Sequence, residues 1–231
     1  VVSYTHIGGN TPDILAENAK KAVKEGWKFI RWSVTGTQKT GKNTSGPPLP
    51  GMFARYKDRV EQELSRSVPA LEEDHLYGLL QYHLGWADQH GALVEVPTSQ
   101  GKALRPTLCM FACEALSGDT VRAMHAAAAI ELIHNFSLIH DDIQDHDEMR
   151  HHRPTLWAEW GVPKALVAGN ILRIVADRSL NGLGEPHADK QRVLGVINLL
   201  TEAYLEMIEG QYLDISYEGR RDIGMDDYLD M

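Results

Sequence analysis

Apolar residues recur at helical spacing along most of the chain, and the periodicity predicts helices over 53–65, 71–89, 102–116, 120–147, 163–180 and 192–217. Leu76, Leu79, Leu80 and Leu84 form one apolar stripe of the second. The fourth is the most apolar, and its run Ala126, Ala127, Ala128, Ala129 lets a neighbouring helix approach closely. Gly118 is placed to end the third helix in the left-handed region. No strand alternation follows Met52. The first residues read differently. Residues 1–7 form a strand, Thr11 and Pro12 open a helix over 13–24 that Gly26 stops, and residues 27–32 form a second strand. The fold class is therefore all-α, preceded by a small strand–helix–strand segment.

A linker separates the two parts. Residues 37–51 are rich in Gly, Pro, Thr and Ser, including Pro47, Pro48 and Pro50. Charge changes at the same place, because residues 1–50 carry a net +4 within a chain whose total is −9. The expected units are 1–36, the linker 37–51, and 52–231. One βαβ unit cannot close a barrel or cover both faces of its strands. The acidic balance argues against nucleic acid as a partner. No run of 18 apolar residues is present, so no transmembrane segment is expected, and no signal peptide pattern opens the chain. Cys109 and Cys113 lack partners at zinc-ligand spacing and read as buried thiols of a reducing, cytoplasmic setting.

The fourth helix ends in Asp141, Asp142, Ile143, Gln144 and Asp145. Asp141 and Asp145 are one turn apart on one face, where like charges repel by about 0.2–0.5 kcal/mol. The macrodipole at a helix C-terminus disfavours anions as well. A divalent cation between the carboxylates removes both penalties, and hard oxygen ligands with room for phosphates suit Mg²⁺. Upstream, Lys102 and Arg105 stand three apart at a predicted helix start, an arrangement suited to a phosphate.

These blocks, with Gly101 and Pro106 around the basic pair, Arg150 followed by Arg153, Pro154 and Thr155, then Ala168, Gly169 and Asn170, then Glu209, Gly210, Gln211 and Asp214, resemble the trans-isoprenyl (polyprenyl) diphosphate synthase family. The resemblance runs from about residue 52 to 231. It implies an isoprenoid-synthase helical bundle around an apolar cavity and a Mg²⁺-dependent prenyltransferase that joins isopentenyl diphosphate to an allylic diphosphate. Residues 1–36 resemble a short piece of the barrel of enolase-superfamily sugar-acid dehydratases, either an assembly fragment or a regulatory extension.

The family resemblance assigns Asp141, Asp142 and Asp145 to the metal, and Asp141, Asp145 and Arg150 to catalysis on the allylic diphosphate. It assigns Lys102, Arg105, His134, Arg150, His151 and Gln211 to substrate binding. His134 also reads as an ordinary core histidine. Phe136, five residues before Asp141, is the candidate chain-length floor, which points to a C20 or C15 product; it too reads equally as core. Three departures stand out. His151 and His152 occupy the places of an Arg and a Gly, with Arg153 available to compensate; Asn170 replaces an Asp; and a second Asp-rich motif is expected beyond Met231. The last implies that these 231 residues alone turn over poorly, whereas the full-length protein is a homodimer. Rival readings are a non-catalytic partner subunit, a class I terpene cyclase, which needs no second diphosphate site, and an HD-type phosphohydrolase, which leaves Asp145 unexplained.

Overall fold

The computed structural model describes residues 4–9, 17, 20, 21, 24, 25, 29–34, 51–68, 75–94, 103–184 and 189–229. Two units are distinguished, Val1–Gly46 with Asn198–Met231, and Pro47–Ile197. Among the described residues no helix is long and apolar enough to cross a membrane.

In the smaller unit β1, Tyr4–Gly9, pairs in parallel with β2, Phe29–Val34, in a register from Tyr4↔Phe29 to Gly9↔Val34. A parallel pair requires a crossover, and residues 20, 21 and 24 between the strands are helical. Glu17, Lys20, Lys21 and Lys24 are exposed at the spacing of one solvated helix face. Both strands end two residues later than the sequence suggested, because Gly8 and Gly9 continue the ladder opposite Ser33 and Val34. The expected cap at Thr11 and Pro12 lies outside the described residues.

The larger unit is helical: α1 Gly51–Ser67, α2 His75–His83, α3 Leu104–Ser117, α4 Met124–Gln144, α5 Leu156–Trp160 and α6 Val162–Leu180. A 3₁₀ turn, Asn181–Gly184, follows α6. Helix α7, Lys190–Tyr217, starts in this unit and ends in the smaller one, which also holds α8, Met225–Leu229. Asp227 in the first turn of α8 accepts the Gly224 N–H at 2.7 Å, half of a capping box.

The core lies between α4 and α6. Ala127, Ala128 and Ala129 of α4 and Ala165, Ala168 and Ala176 of α6 are almost fully buried, so small side chains let the two backbones approach. Leu132, Ile139 and Leu172 fill the remaining space, each at most 1% exposed and each contributing about 1.5–3 kcal/mol by leaving water. Helix α1 adds Tyr56, Val60 and Leu64, buried at one-turn spacing.

Several boundaries differ from the periodicity. Helix α2 stops at His83 because Gly85 turns left-handed (φ 78) and the Trp86 N–H reaches back to the Gln81 carbonyl at 2.8 Å. Helix α3 begins after Ala103, itself left-handed at φ 44, and ends as expected at Gly118, whose N–H bonds to the Glu114 carbonyl. Cys109 and Cys113 are free thiols but half-buried rather than buried, because α3 buries only Pro106, Thr107 and Met110. A two-stranded hairpin, β3 Met149–Arg150 with β4 Arg153–Pro154, breaks the expected absence of strands. Its turn holds His151 (φ 50) and His152 (φ 65), both left-handed, a conformation that normally selects Asn and Gly.

Candidate functional site

Helix α4 presents Glu131, His134, Asn135, Leu138 and Asp142 along one face, at offsets of three, four, seven and eleven residues. That face forms one wall of a cleft of about 610 Å³ that opens to solvent. Tyr82 and His83 close it from α2, and Arg150, His151, Arg153, Pro154, Thr155 and Leu156 from the hairpin and α5.

The hairpin is fixed to the end of α4 by hydrogen bonds. The Asp147 N–H bonds to the Asp142 carbonyl at 3.0 Å, and the Asp147 carbonyl accepts both the Thr155 hydroxyl and the Trp157 indole at 2.9 Å. Arg150 donates from Nε (2.8 Å) and Nη2 (2.7 Å) to the same oxygen of Asp142. Asp142 is 2% exposed, and burial pushes its carboxyl up to about 6 even though Arg150 opposes the shift. Asp142, a metal candidate in the sequence, is engaged through one oxygen by Arg150. The pair sets that guanidinium at the edge of the cleft, beside the acidic helix end.

Arg153 lines the cleft, but its guanidinium is engaged elsewhere. It donates to the carbonyls of Tyr82 (3.2 Å) and Ala87 (2.8 Å) and stacks 4.0 Å from the Tyr82 ring centre, while the Tyr82 hydroxyl donates to the Pro154 carbonyl at 2.9 Å. Arg153 thereby locks β4 to α2.

The imidazoles are held neutral. Burial lowers His83 to about 3, with Arg150 adding to the effect. Burial, then Arg105 and Arg150, lower His134 to about 4. His151 is lowered by burial, Arg150 and His152. Burial raises Glu131, against Arg105 and Asn135. Among the described residues the cleft thus presents the Arg150 guanidinium at its edge beside imidazoles that burial holds neutral.

Asp141 is half-buried in the last turn of α4, and Asp145 is its exposed C-cap, with its N–H on the Asp141 carbonyl at 2.8 Å. Among the described residues no group of three or more His, Cys, Asp and Glu side chains is gathered to hold a metal ion. Two carboxylates at a helix end nonetheless fit Mg²⁺, which takes one or two carboxylates and completes its shell from water and substrate phosphates. Arg105 is exposed at the start of α3 and acts electrostatically on Glu131 and His134. Lys102 lies outside the described residues. Gln211 is half-buried on α7 in the smaller unit. Phe136 is 6% exposed, with its ring centre 4.5 Å from that of His140, and is not among the residues that line this cleft.

Sequence reasoning missed Tyr82, His83, Glu131, Asn135 and Thr155. The α4 residues share a face with Asp142, so helical spacing alone marks them. Tyr82 and His83 carry no local signal, because only the fold brings α2 to the hairpin.

A mainly helical unit with an acidic helix end beside such a cleft agrees with the helical fold of the solved relatives. A family model described as polyprenyl synthetase matches residues 90–231. The (2E,6E)-farnesyl diphosphate synthase of Mycobacterium tuberculosis is 41% identical over 159 residues, 69% of this chain and 42% of that protein. The geranylgeranyl pyrophosphate synthase of Geoglobus acetivorans is 40% identical over 178 residues, 76% of this chain and 51% of that protein. Among solved structures, a polyprenyl synthetase from Streptomyces coelicolor A3(2) superposes with a TM-score of 0.69 at 32% identity, covering 78% of this chain and 51% of that one. The chain spans about half the length of the curated relatives it matches. It belongs to the polyprenyl synthetase family.

Proposed function

We propose that the protein is a trans-prenyltransferase that condenses isopentenyl diphosphate with an allylic diphosphate and releases pyrophosphate. The observation that carries this reading is the adjacency, along one helix, of an acidic end and an anion-receptive cleft, with Arg150 where the two meet. A class I cyclase, with one diphosphate substrate, has no use for the second site.

Asp141 and Asp145 would hold Mg²⁺, which when bound supplies Lewis-acid stabilisation of the departing diphosphate. Arg150, oriented by Asp142, adds donors to the same developing charge. His134, His151 and Arg105, with Lys102 from the preceding segment, receive the diphosphate of isopentenyl diphosphate; a substrate-binding role for Gln211 rests on the family resemblance alone. Exclusion of water from the apolar part of the cavity protects the allylic cation until the new carbon–carbon bond forms and a proton is lost. Phe136 sets the floor of the tail cavity, so the product is geranylgeranyl or farnesyl diphosphate. A homodimer of the whole protein and a cytoplasmic location belong to the same reading and rest on the family resemblance, whereas the arrangement of 1–36, 37–51 and 52–231 rests on composition and the change of charge near the linker.

The test is incorporation of radiolabelled isopentenyl diphosphate with dimethylallyl, geranyl or farnesyl diphosphate, with Mg²⁺ and with EDTA, using the protein extended to the length of its relatives. Mg²⁺-dependent elongation is expected. No incorporation with any allylic partner, in a folded protein, overturns the proposal.

A further inference from the structure

Two imidazoles of α4 lie directly on glycines of the neighbouring segment. A methyl group built on Gly182 would stand 2.5 Å from Cε1 and Nε2 of His125, and one built on Gly169 would stand 2.6 Å from Nε2 of His140. Both distances are far inside van der Waals contact, so each ring occupies the space a side chain would take. His125 near the start of α4 meets the turn after α6, whereas His140 near its end meets the first half of α6. The two clasps therefore pin antiparallel helices at both ends of the alanine-lined interface and fix their axial register.

The clasps differ in how the ring is held. Nδ1 of His125 lies 2.8 Å from Glu63, and the His125 carbonyl accepts the Ser179 hydroxyl at 3.2 Å. Nε2 of His140 is buried with no hydrogen-bond partner, so packing determines where that side of the ring sits. Phe136 flanks it one turn earlier, and Ile139 would lie 3.6 Å from the same added methyl. The ring is half-buried and also hydrogen-bonded to the backbone at Leu166. A group added at Gly169 must therefore move the ring or the helix turn that carries it, and the next residue is Asp141.

We propose that Gly169 and His140 are positioning residues for the acidic end of α4: the ring seated on Gly169 sets the placement of the Asp141 carboxylate and, one turn on, of Asp145. This rests on the proposed reading of these carboxylates as metal-binding. Gly182 and His125 hold the other end of the helix and have no part in it.

The test uses Mn²⁺ as the probe, with free ion followed by electron paramagnetic resonance in the presence of inorganic pyrophosphate. Wild type, Gly169→Ala, Gly182→Ala, His140→Ala and the double variant His140→Ala/Gly169→Ala are compared, with Tm measured for each. Gly169→Ala is expected to weaken Mn²⁺ binding about tenfold or more, as for groups that orient metal ligands. Gly182→Ala should lower Tm comparably yet stay within about twofold of wild type in affinity. The double variant should recover part of the loss, because removing the ring makes room for the methyl. Wild-type affinity in Gly169→Ala, or an equal loss in Gly182→Ala, overturns the inference. If Gly169→Ala does not fold, His140→Ala decides: unchanged affinity there overturns it. A wild-type chain that takes up no Mn²⁺ overturns the metal reading itself, and this inference with it.

Discussion

Replacing Arg150 by Met leaves Asp142 buried without its cation, and the consequence is calculable. Asp142 is 2% exposed, and the Arg150 side chain 30%. Removing one member of a buried pair costs about 3–5 kcal/mol, and the partial exposure of Arg150 places this case near 3. The cost depends on pH because the carboxylate can escape it by taking a proton. Asp142 titrates near 6 in the folded wild type, against an ordinary value of 3.8. The folded state thus binds the proton more tightly, and this group's contribution to stability grows as pH falls through 6. At pH 8 the carboxylate is charged in wild type and Arg150→Met must bury it unpaired or protonate it. At pH 5 it is largely neutral in both, and only a hydrogen bond worth about 1 kcal/mol is missing. Urea denaturation followed by far-UV circular dichroism should therefore give a destabilisation of about 3 kcal/mol at pH 8 and about 1 at pH 5. The double variant Arg150→Met/Asp142→Asn, with no buried charge, should lose the excess destabilisation at pH 8. Equal destabilisation at the two pH values, or a double variant as pH-sensitive as the single, would refute the reasoning.

Three other outcomes follow from the same structure. His83 is lowered to about 3 in the folded state, so the unfolded chain binds protons first as pH falls; its stabilisation is complete above about 6.5 and should fall by about 2 kcal/mol by pH 5, and a His83 variant whose stability is equally steep over that range would contradict this. Asp141→Asn and Asp145→Asn in the extended protein should each lower condensation on the order of 10²-fold with little change in Tm, by analogy with lost donors to a developing charge, whereas near wild-type rates would remove them from the metal site. Phe136→Ala should cost about 3–5 kcal/mol, because the ring is nearly fully buried, and should shift dephosphorylated products toward longer chains on chromatography; a drop in Tm with an unchanged product returns Phe136 to a purely structural role.

The helical class and the acidic end of α4 were legible because they are local: helical periodicity is written in residue spacing, and Gly118 marked its helix end correctly. The hairpin was not legible, because His151 and His152 occupy turn positions that normally select Asn and Gly, and tertiary bonds from Arg150 and Arg153 hold them there. The same bonds explain two contacts that residue spacing does not show. Asp142 sits beside two metal candidates in sequence but a helical step of about 100° turns it toward Arg150. Arg153 looks like a spare cation until the carbonyls of Tyr82 and Ala87, about 70 residues upstream, receive it. Gly169 appeared in the sequence only as part of a motif, and its use became visible with the ring that covers it.

In the proposed reaction α4 serves two diphosphates by different means, a metal at its acidic end and protein donors in the cleft. Isothermal titration separates them directly. The protein is titrated with isopentenyl diphosphate and with a non-ionisable thiolo analogue of an allylic diphosphate, each with Mg²⁺ and with EDTA. Isopentenyl diphosphate should bind under both conditions and weaken in His134→Ala, while the allylic analogue should bind only with Mg²⁺ and weaken in Asp141→Asn. Binding of both ligands with the same metal dependence and the same response to the two substitutions would contradict this reading.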